Sequence, residues 1–227
     1  MVIAETLPKI KELFASAPRE GGIDLDIASA LVRAVIGSIV ANGGALISLS
    51  KLRTKDEDTF IHSISVCALL VTFGRKLNLE DGLIRDLGLA GLLHDVGKMA
   101  IPEYILQKSE KLSEDEFRIV RMHPRLGFEL LSGKSVLPGT VLDICLHHHE
   151  KFDGSGYPFG LAGEKIPYVA RLAAICDVYD ALTTRRAYKG TWSQAQAVDS
   201  MMRSRGHFDP SLLRLFVSQM VLSGELM

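Results

Sequence analysis

Three consecutive histidines end an apolar helix. Val141-Leu142-Asp143-Ile144-Cys145-Leu146 runs into His147, His148 and His149, and these into Glu150-Lys151-Phe152-Asp153-Gly154-Ser155-Gly156-Tyr157-Pro158. Neighbouring side chains on a helix point about 100° apart, so three in succession cannot share one face. At least one ring turns away from whatever the other two face. A position that needed only packing would hold Leu or Ile. Gly on both sides of Ser155 suits a tight turn or a close approach of backbone to a ligand. Pro158 pushes Tyr157 towards extended conformations. Whatever core this chain builds must open here into an imidazole-rich edge, and metal ligation is the first chemistry that suits it.

The rest of the pattern is helical almost throughout, with strand signals nearly absent, so the expected class is all-α. Apolar periodicity runs over residues 24–50, with Gly43-Gly44 as an interruption, and again over 58–76. Asn78 and Asp81 open a further helix that ends at His94. Ser113-x-x-Glu116 and Thr191-x-x-Gln194 both read as capping boxes. Pro138 precedes the helix of the histidine run, Pro167 suits the first turn of a helix over 168–184, and Asp209-Pro210 is an N-cap followed by proline. The Pro18 to Gly22 stretch is the expected hinge. The domain reading is a helical lead-in, or the remnant of a regulatory region, over 1–54, and a catalytic bundle over 55–227.

Composition narrows the classes. A formal net charge of −1 argues against a surface for nucleic acid polymers. The three cysteines, Cys67, Cys145 and Cys176, are scattered in apolar segments and read as buried, reduced thiols of a cytoplasmic protein. No signal peptide is visible, and the most apolar stretch, 28–49, is broken by Arg33, Asn42 and two glycines, so no membrane span is expected.

Further candidates lie at or near helix ends. His94-Asp95 offers an imidazole and a carboxylate side by side, and a carboxylate has two oxygens with which to bridge two cations. Lys98 follows one turn later, where it can neutralise an anion. Asp58 and His62 share a helix face, which alone would suit an exposed ion pair. His123 precedes Pro124, a place where turn residues are common. Asp177 sits in an apolar, small-residue helix where an ionised carboxylate is costly unless paired or bound to metal. Asp180, one turn on, offers a structural hydrogen-bond partner. Together this is a nitrogen-and-oxygen donor set without clustered thiolates. It disfavours a structural zinc site, suits iron or manganese with zinc less favoured, and fits phosphoester hydrolysis.

At this point a family is recognisable. His94-Asp95-Val96-Gly97-Lys98 resembles the signature of the HD superfamily of metal-dependent phosphohydrolases. His148 through Pro158 is similar to the defining motif of its HD-GYP branch. The likeness continues through Ile166-Pro167, Arg171, residues 177–182, Arg186, Tyr188, Lys189 and residues 206–210. It implies an HD-domain helical bundle that hydrolyses cyclic di-GMP to linear pGpG, and onward to GMP, by attack of a metal-bridging hydroxide. By motif, the metal ligands would be His62, His94, Asp95, His123, His148, His149 and Asp177, holding two divalent ions, with Asp95 bridging. Asp58 stands where some members place a Glu for a third ion. Asp95 and Lys98 would carry the chemistry, and Lys98, Tyr157, Arg186 and Lys189 would contact substrate. Glu150 and Asp153 would order the glycine loop, with His147 structural. Ala187 departs from the Pro of many members, without removing a functional group.

Two other classes remain open at this stage. One is a catalytically slow cyclic di-GMP sensor using the same metal site. The other is an interaction module whose exposed Tyr157-Pro158 loop contacts diguanylate cyclase-type proteins. The 24–50 helix would either pair two copies as a homodimer or dock on the bundle.

Overall fold

In the computed structural model the described residues are 2–20, 22–41, 58–108, 110–133, 136–184 and 192–223, without the side chains of 2–5, 20 and 58. They form helices joined by short turns, and the described residues contain no strand, only an isolated bridge between Asp153 and Ala162. The elements are α1 (Val2–Glu20), α2 (Leu25–Ala41), α3 (Asp58–Lys76), α4 (Asp81–Leu93), a 3-10 turn (Val96–Ala100), α5 (Glu103–Leu106), α6 (Glu114–Val120), α7 (His123–Gly133), α8 (Gly139–His147), α9 (Tyr168–Thr183), α10 (Gln194–Arg203) and α11 (Pro210–Phe216). A π-helical turn, Val217–Val221, extends α11. The all-α expectation holds.

The core is built around α3, α4 and α9. Along α3 nearly every residue from Ile61 to Phe73 is buried, and α4 buries everything from Leu87 to Leu93. A helix this apolar on all sides must be enclosed by others. Helix α4 packs against α3 on one flank and α8 on another, while α9 lies against α3 and α8. Helices α1 and α2 lend Ile10, Leu13, Phe14, Leu31, Val32 and Val35 to the same core. Of the two uses open to the 24–50 helix, its described part docks on α3 and α4. Residues 42–57, with the glycine interruption, lie outside the described residues.

Local signals mostly set the helix ends. Ser113 and Glu116 form the expected capping box. Asp209 caps α11, accepting from the Ser211 and Leu212 amides, with Pro210 following it, and its other oxygen takes Arg171 of α9 at 2.6 Å. One expectation is corrected. The box ahead of α10 is Ser193 with Gln196, not Thr191 with Gln194. Both pairs satisfy the same spacing, and the helix starts two residues later than the first of them requires. All three cysteines are free and buried, and burial pushes the Cys67 thiol up to about 12. None of the described helices is long and apolar enough to cross a membrane.

Candidate metal centre

Five segments deliver the polar side chains to one place. His62 lies near the start of α3, and Asp177 in the buried middle of α9. The others sit where helices stop. His94 closes α4, Asp95 opens the 3-10 turn, His123 begins α7, and His148 closes α8 with His149 in the turn beyond. The last turn of a helix leaves carbonyls without an intrahelical partner. The histidine rings bond to carbonyls of that turn. His94 Nδ1 lies 2.8 Å from Gly91 O, His123 Nδ1 2.7 Å from Val120 O, and His148 Nδ1 3.0 Å from both Ile144 O and Cys145 O.

That local bonding settles the tautomers. A carbonyl only accepts, so each of these three Nδ1 atoms carries hydrogen, and the neutral form of each ring would present its Nε2 lone pair. His62 differs: its Nδ1 donates to Asp180 Oδ2 at 2.7 Å and its Nε2 to Asp177 Oδ1 at 2.9 Å, and these two carboxylates hold the ring protonated. A second ring nitrogen tied to a carbonyl or carboxylate is the usual support for a metal-ligating histidine.

The Nε2 atoms converge on Asp95, which is 1% exposed. Its Oδ1 lies 3.2 Å from His123 Nε2 and 3.8 Å from His148 Nε2. Its Oδ2 lies 3.4 Å from His94 Nε2, 3.9 Å from His62 Nε2 and 2.5 Å from the Lys98 ammonium. Two donor groups result, within each of which the ligand atoms lie inside 4.8 Å of one another. One is Asp95, His123, His148 and His149; the other is His62, His94 and Asp177. Asp95 faces one group with each oxygen.

These donors fit divalent cations. His123 Nε2 and His148 Nε2 stand 3.3 Å apart while both Nδ1 atoms donate to carbonyls, an arrangement a cation between the two Nε2 atoms would stabilise. Buried polar atoms normally have a hydrogen-bond partner, yet His94 Nε2 and Asp95 Oδ1 have none. Burial would raise the Asp95 carboxyl, but the nearby Lys98 and His94 outweigh it and hold it well below the ordinary carboxylate range. Burial, reinforced by the neighbouring imidazoles, keeps His148 unprotonated, and burial lowers His149 to about 3. Asp177, despite burial, is held down chiefly by His62. At neutral pH Asp95 and Asp177 present anionic oxygens, and His148 and His149 free nitrogen lone pairs.

Two close approaches make the geometry feasible. Residue 97 must be glycine, because a Cβ there would stand 2.0 Å from His123 O and 2.4 Å from Gly127 N. The His94-Asp95 turn therefore lies directly on the start of α7. Likewise, a Cβ at Gly156 would meet Lys151 N at 2.3 Å and Glu150 Cα at 2.5 Å, so the glycine loop folds flat onto the end of the histidine run. Glu150, buried, accepts from the Phe159 amide at 2.7 Å and the Leu161 amide at 3.0 Å. Asp153 accepts from the Ser155 amide at 2.8 Å. Both act through backbone bonds, as expected. The Tyr157–Pro158 peptide is cis.

The structure thus brings together His62, His94, Asp95, Lys98, His123, His148, His149 and Asp177. Tyr157 joins them differently from expectation. Its ring packs 4.8 Å from His149, and burial raises its hydroxyl pKa, so the exposed apolar side chain of this loop is Phe159. His147 turns aside, half-buried, against Phe159 at 5.6 Å. The Asp58 side chain, Arg186, Ala187 and Lys189 lie outside the described residues. The His62 face is answered from α9, by Asp177 at 2.9 Å and Asp180 at 2.7 Å. Sequence reasoning missed the contact between Gly97 and Gly127. It also missed Arg121 and Arg125, whose only signal was their spacing around His123-Pro124.

The HD-domain family model matches residues 45–212. The chain belongs to the HD-domain family. Its Gly156-Tyr157-Pro158 turn places it in the HD-GYP branch. A Pseudomonas aeruginosa protein named a cyclic di-GMP phosphodiesterase is 48% identical over 208 residues, 92% of this chain and 50% of that protein. A Xanthomonas campestris protein named a cyclic di-GMP phosphodiesterase response regulator is 44% identical over 155 residues, 66% of this chain and 40% of that protein. This HD-GYP chain therefore spans half the length, or less, of these relatives. A solved HDG"Y"P protein from Bdellovibrio bacteriovorus, 22% identical, superposes with a TM-score of 0.77 over 98% of this chain and 71% of its own, which establishes the fold.

Proposed function

We propose that this chain is a metal-dependent phosphodiesterase that opens cyclic di-GMP to linear pGpG, with GMP from a second cleavage. The observation that carries the reading is Asp95, a buried carboxylate offering one oxygen to each of two imidazole-rich donor groups. In it, His62, His94 and Asp177 would hold one ion, His123, His148 and His149 the other, and Asp95 would be shared. Iron is the preferred metal and manganese the next, on the nitrogen-and-oxygen character of the donors. Bound divalent cations supply an activated water and draw charge from phosphoryl oxygens. The chain's own residues do the rest. Asp180 fixes the tautomer and tilt of His62. The Lys98 ammonium stands beside Asp95 Oδ2, where it opposes negative charge developing on phosphorus-bound oxygen. The Tyr157 ring, packed on His149, forms one wall of the substrate site. Arg186 and Lys189 would contact phosphate oxygens in this reading. The cytoplasm is the compartment it implies, with the loop edge at Phe159 as the face for diguanylate cyclase-type proteins.

The test is product chromatography on anaerobically purified protein loaded with Fe(II) or Mn(II). Wild type should convert the cyclic dinucleotide to pGpG. Asp95→Asn should lose metal and turnover together, whereas Lys98→Met should keep its metal and lose at least about tenfold in kcat. Tight binding by wild type with no product would overturn the enzyme reading in favour of a sensor.

A further inference from the structure

The metal centre accounts for one phosphate, but a cyclic dinucleotide carries two phosphodiester anions. We propose that Arg121 binds the phosphodiester that is not being cleaved; this rests on the function proposed above.

Arg121 lies in the turn between α6 and α7, two residues before His123. Its Cζ stands 4.8 Å from the centre of the Tyr157 ring and 5.0 Å from that of Phe117. Tyr157 in turn packs on His149 at 4.8 Å. A continuous stack thus runs outward from a metal-centre imidazole through a tyrosine to a guanidinium and then to a half-exposed phenylalanine. Two ring contacts of 4.8 Å each separate Arg121 from His149, a reach that falls within the span of a bound dinucleotide.

A cation held over ring faces by its charge keeps N–H donors for an acceptor. No carboxylate pairs with Arg121 among the described residues, although Arg118 and Arg203, on either neighbouring or distant helices, both have acidic partners. Its side chain is exposed yet held in place by two rings, so a ligand meets it with less of the ordering cost that a free arginine would carry. A planar donor fork with a permanent positive charge matches the paired oxygens of a phosphodiester. Arg125, one turn further along α7, lies 4.9 Å from the Phe159 ring and braces the outer edge of the same loop. Arg121, against Tyr157, lies on the inner side.

Steady-state kinetics on the metal-loaded full chain test this, with thermal melts confirming that the variants fold. Arg121→Gln should raise KM for cyclic di-GMP about tenfold or more, the effect of losing a charge-assisted hydrogen-bond pair, with kcat within about threefold. The KM rise should be the same for a cyclic dinucleotide in which one guanine is replaced by adenine. Arg121→Lys, which keeps the charge and loses the planar fork, should recover only part of it. On bis(p-nitrophenyl) phosphate, which has a single phosphate, the loss should be at least tenfold smaller. An unchanged KM refutes the assignment. So does an equal loss on both kinds of substrate, which would mean that Arg121 acts through Tyr157 and His149. A loss confined to the guanine sites refutes it in favour of a base contact. If wild type binds cyclic di-GMP without cleaving it, the enzyme reading fails and the same comparisons are made on Kd. A wild type that neither binds nor cleaves it overturns both.

Discussion

Metal loading should expel a proton from His62. In the metal-free protein this imidazole is bonded through both nitrogens, Nε2 to Asp177 at 2.9 Å and Nδ1 to Asp180 at 2.7 Å. Burial opposes the imidazolium, but the two carboxylates outweigh it and raise the pKa from 6.5 to about 9. A cation at Nε2 needs the lone pair, so that proton must leave. His148 and His149 release none, because burial and their neighbours already hold them neutral. At pH 7.5, removing a proton with a pKa of about 9 costs about 2 kcal/mol, which weakens apparent metal affinity roughly thirtyfold. Affinity should therefore climb with pH and level off above about 9. Calorimetric titration of Mn(II) into metal-free protein at pH 7.5, in two buffers of different protonation enthalpy, should show about one proton released per protein. Asp180→Asn removes one of the supporting carboxylates and should lower that number. A value near zero in wild type, or one unmoved by Asp180→Asn, would refute the reasoning. The same shift has a stability counterpart. A raised folded-state pKa stabilises fully below the unfolded value of 6.5, and this contribution is lost as pH rises through about 9, so urea midpoints of the metal-free protein should fall over that window.

Gly97→Ala would set a methyl 2.0 Å from His123 O, and relief requires α7 to move with its histidine. The expected result is a loss of about 1–3 kcal/mol in urea denaturation together with lower metal stoichiometry; wild-type values for both would contradict the packing argument. Glu150→Gln replaces a carboxylate that accepts two backbone amides with a side chain that presents a donor to one of them. It should cost about 1–3 kcal/mol and speed hydrogen exchange at the Phe159 and Leu161 amides, leaving the amides of α4 protected.

The helices and most of the donors were legible in the chain itself. Helix periodicity is a local property, as is the habit of a histidine at a helix end folding back on the last carbonyl. Hence His94 and His148, with Asp95 between helix and turn, could be named from residue order alone. The motif from His148 to Pro158 identified the branch because its spacing is covalent. Capping was less decisive, since Thr191 and Ser193 both satisfied the pattern and only the packed start of α10 separated them. What the order of residues could not settle is which atoms meet. His123 comes to Asp95 Oδ1 and His94 to Oδ2 because α4, α7 and α8 pack at distances set by Gly97, Gly127 and Cys145, residues with no chemistry of their own. Asp180 reaches His62 across 118 residues, and Arg121 finds Tyr157 only when α6 ends beside the glycine loop. Residue order sets what a side chain can donate. Only the packing of helices distant in sequence sets the few ångströms that turn seven separate donors into two groups around one carboxylate.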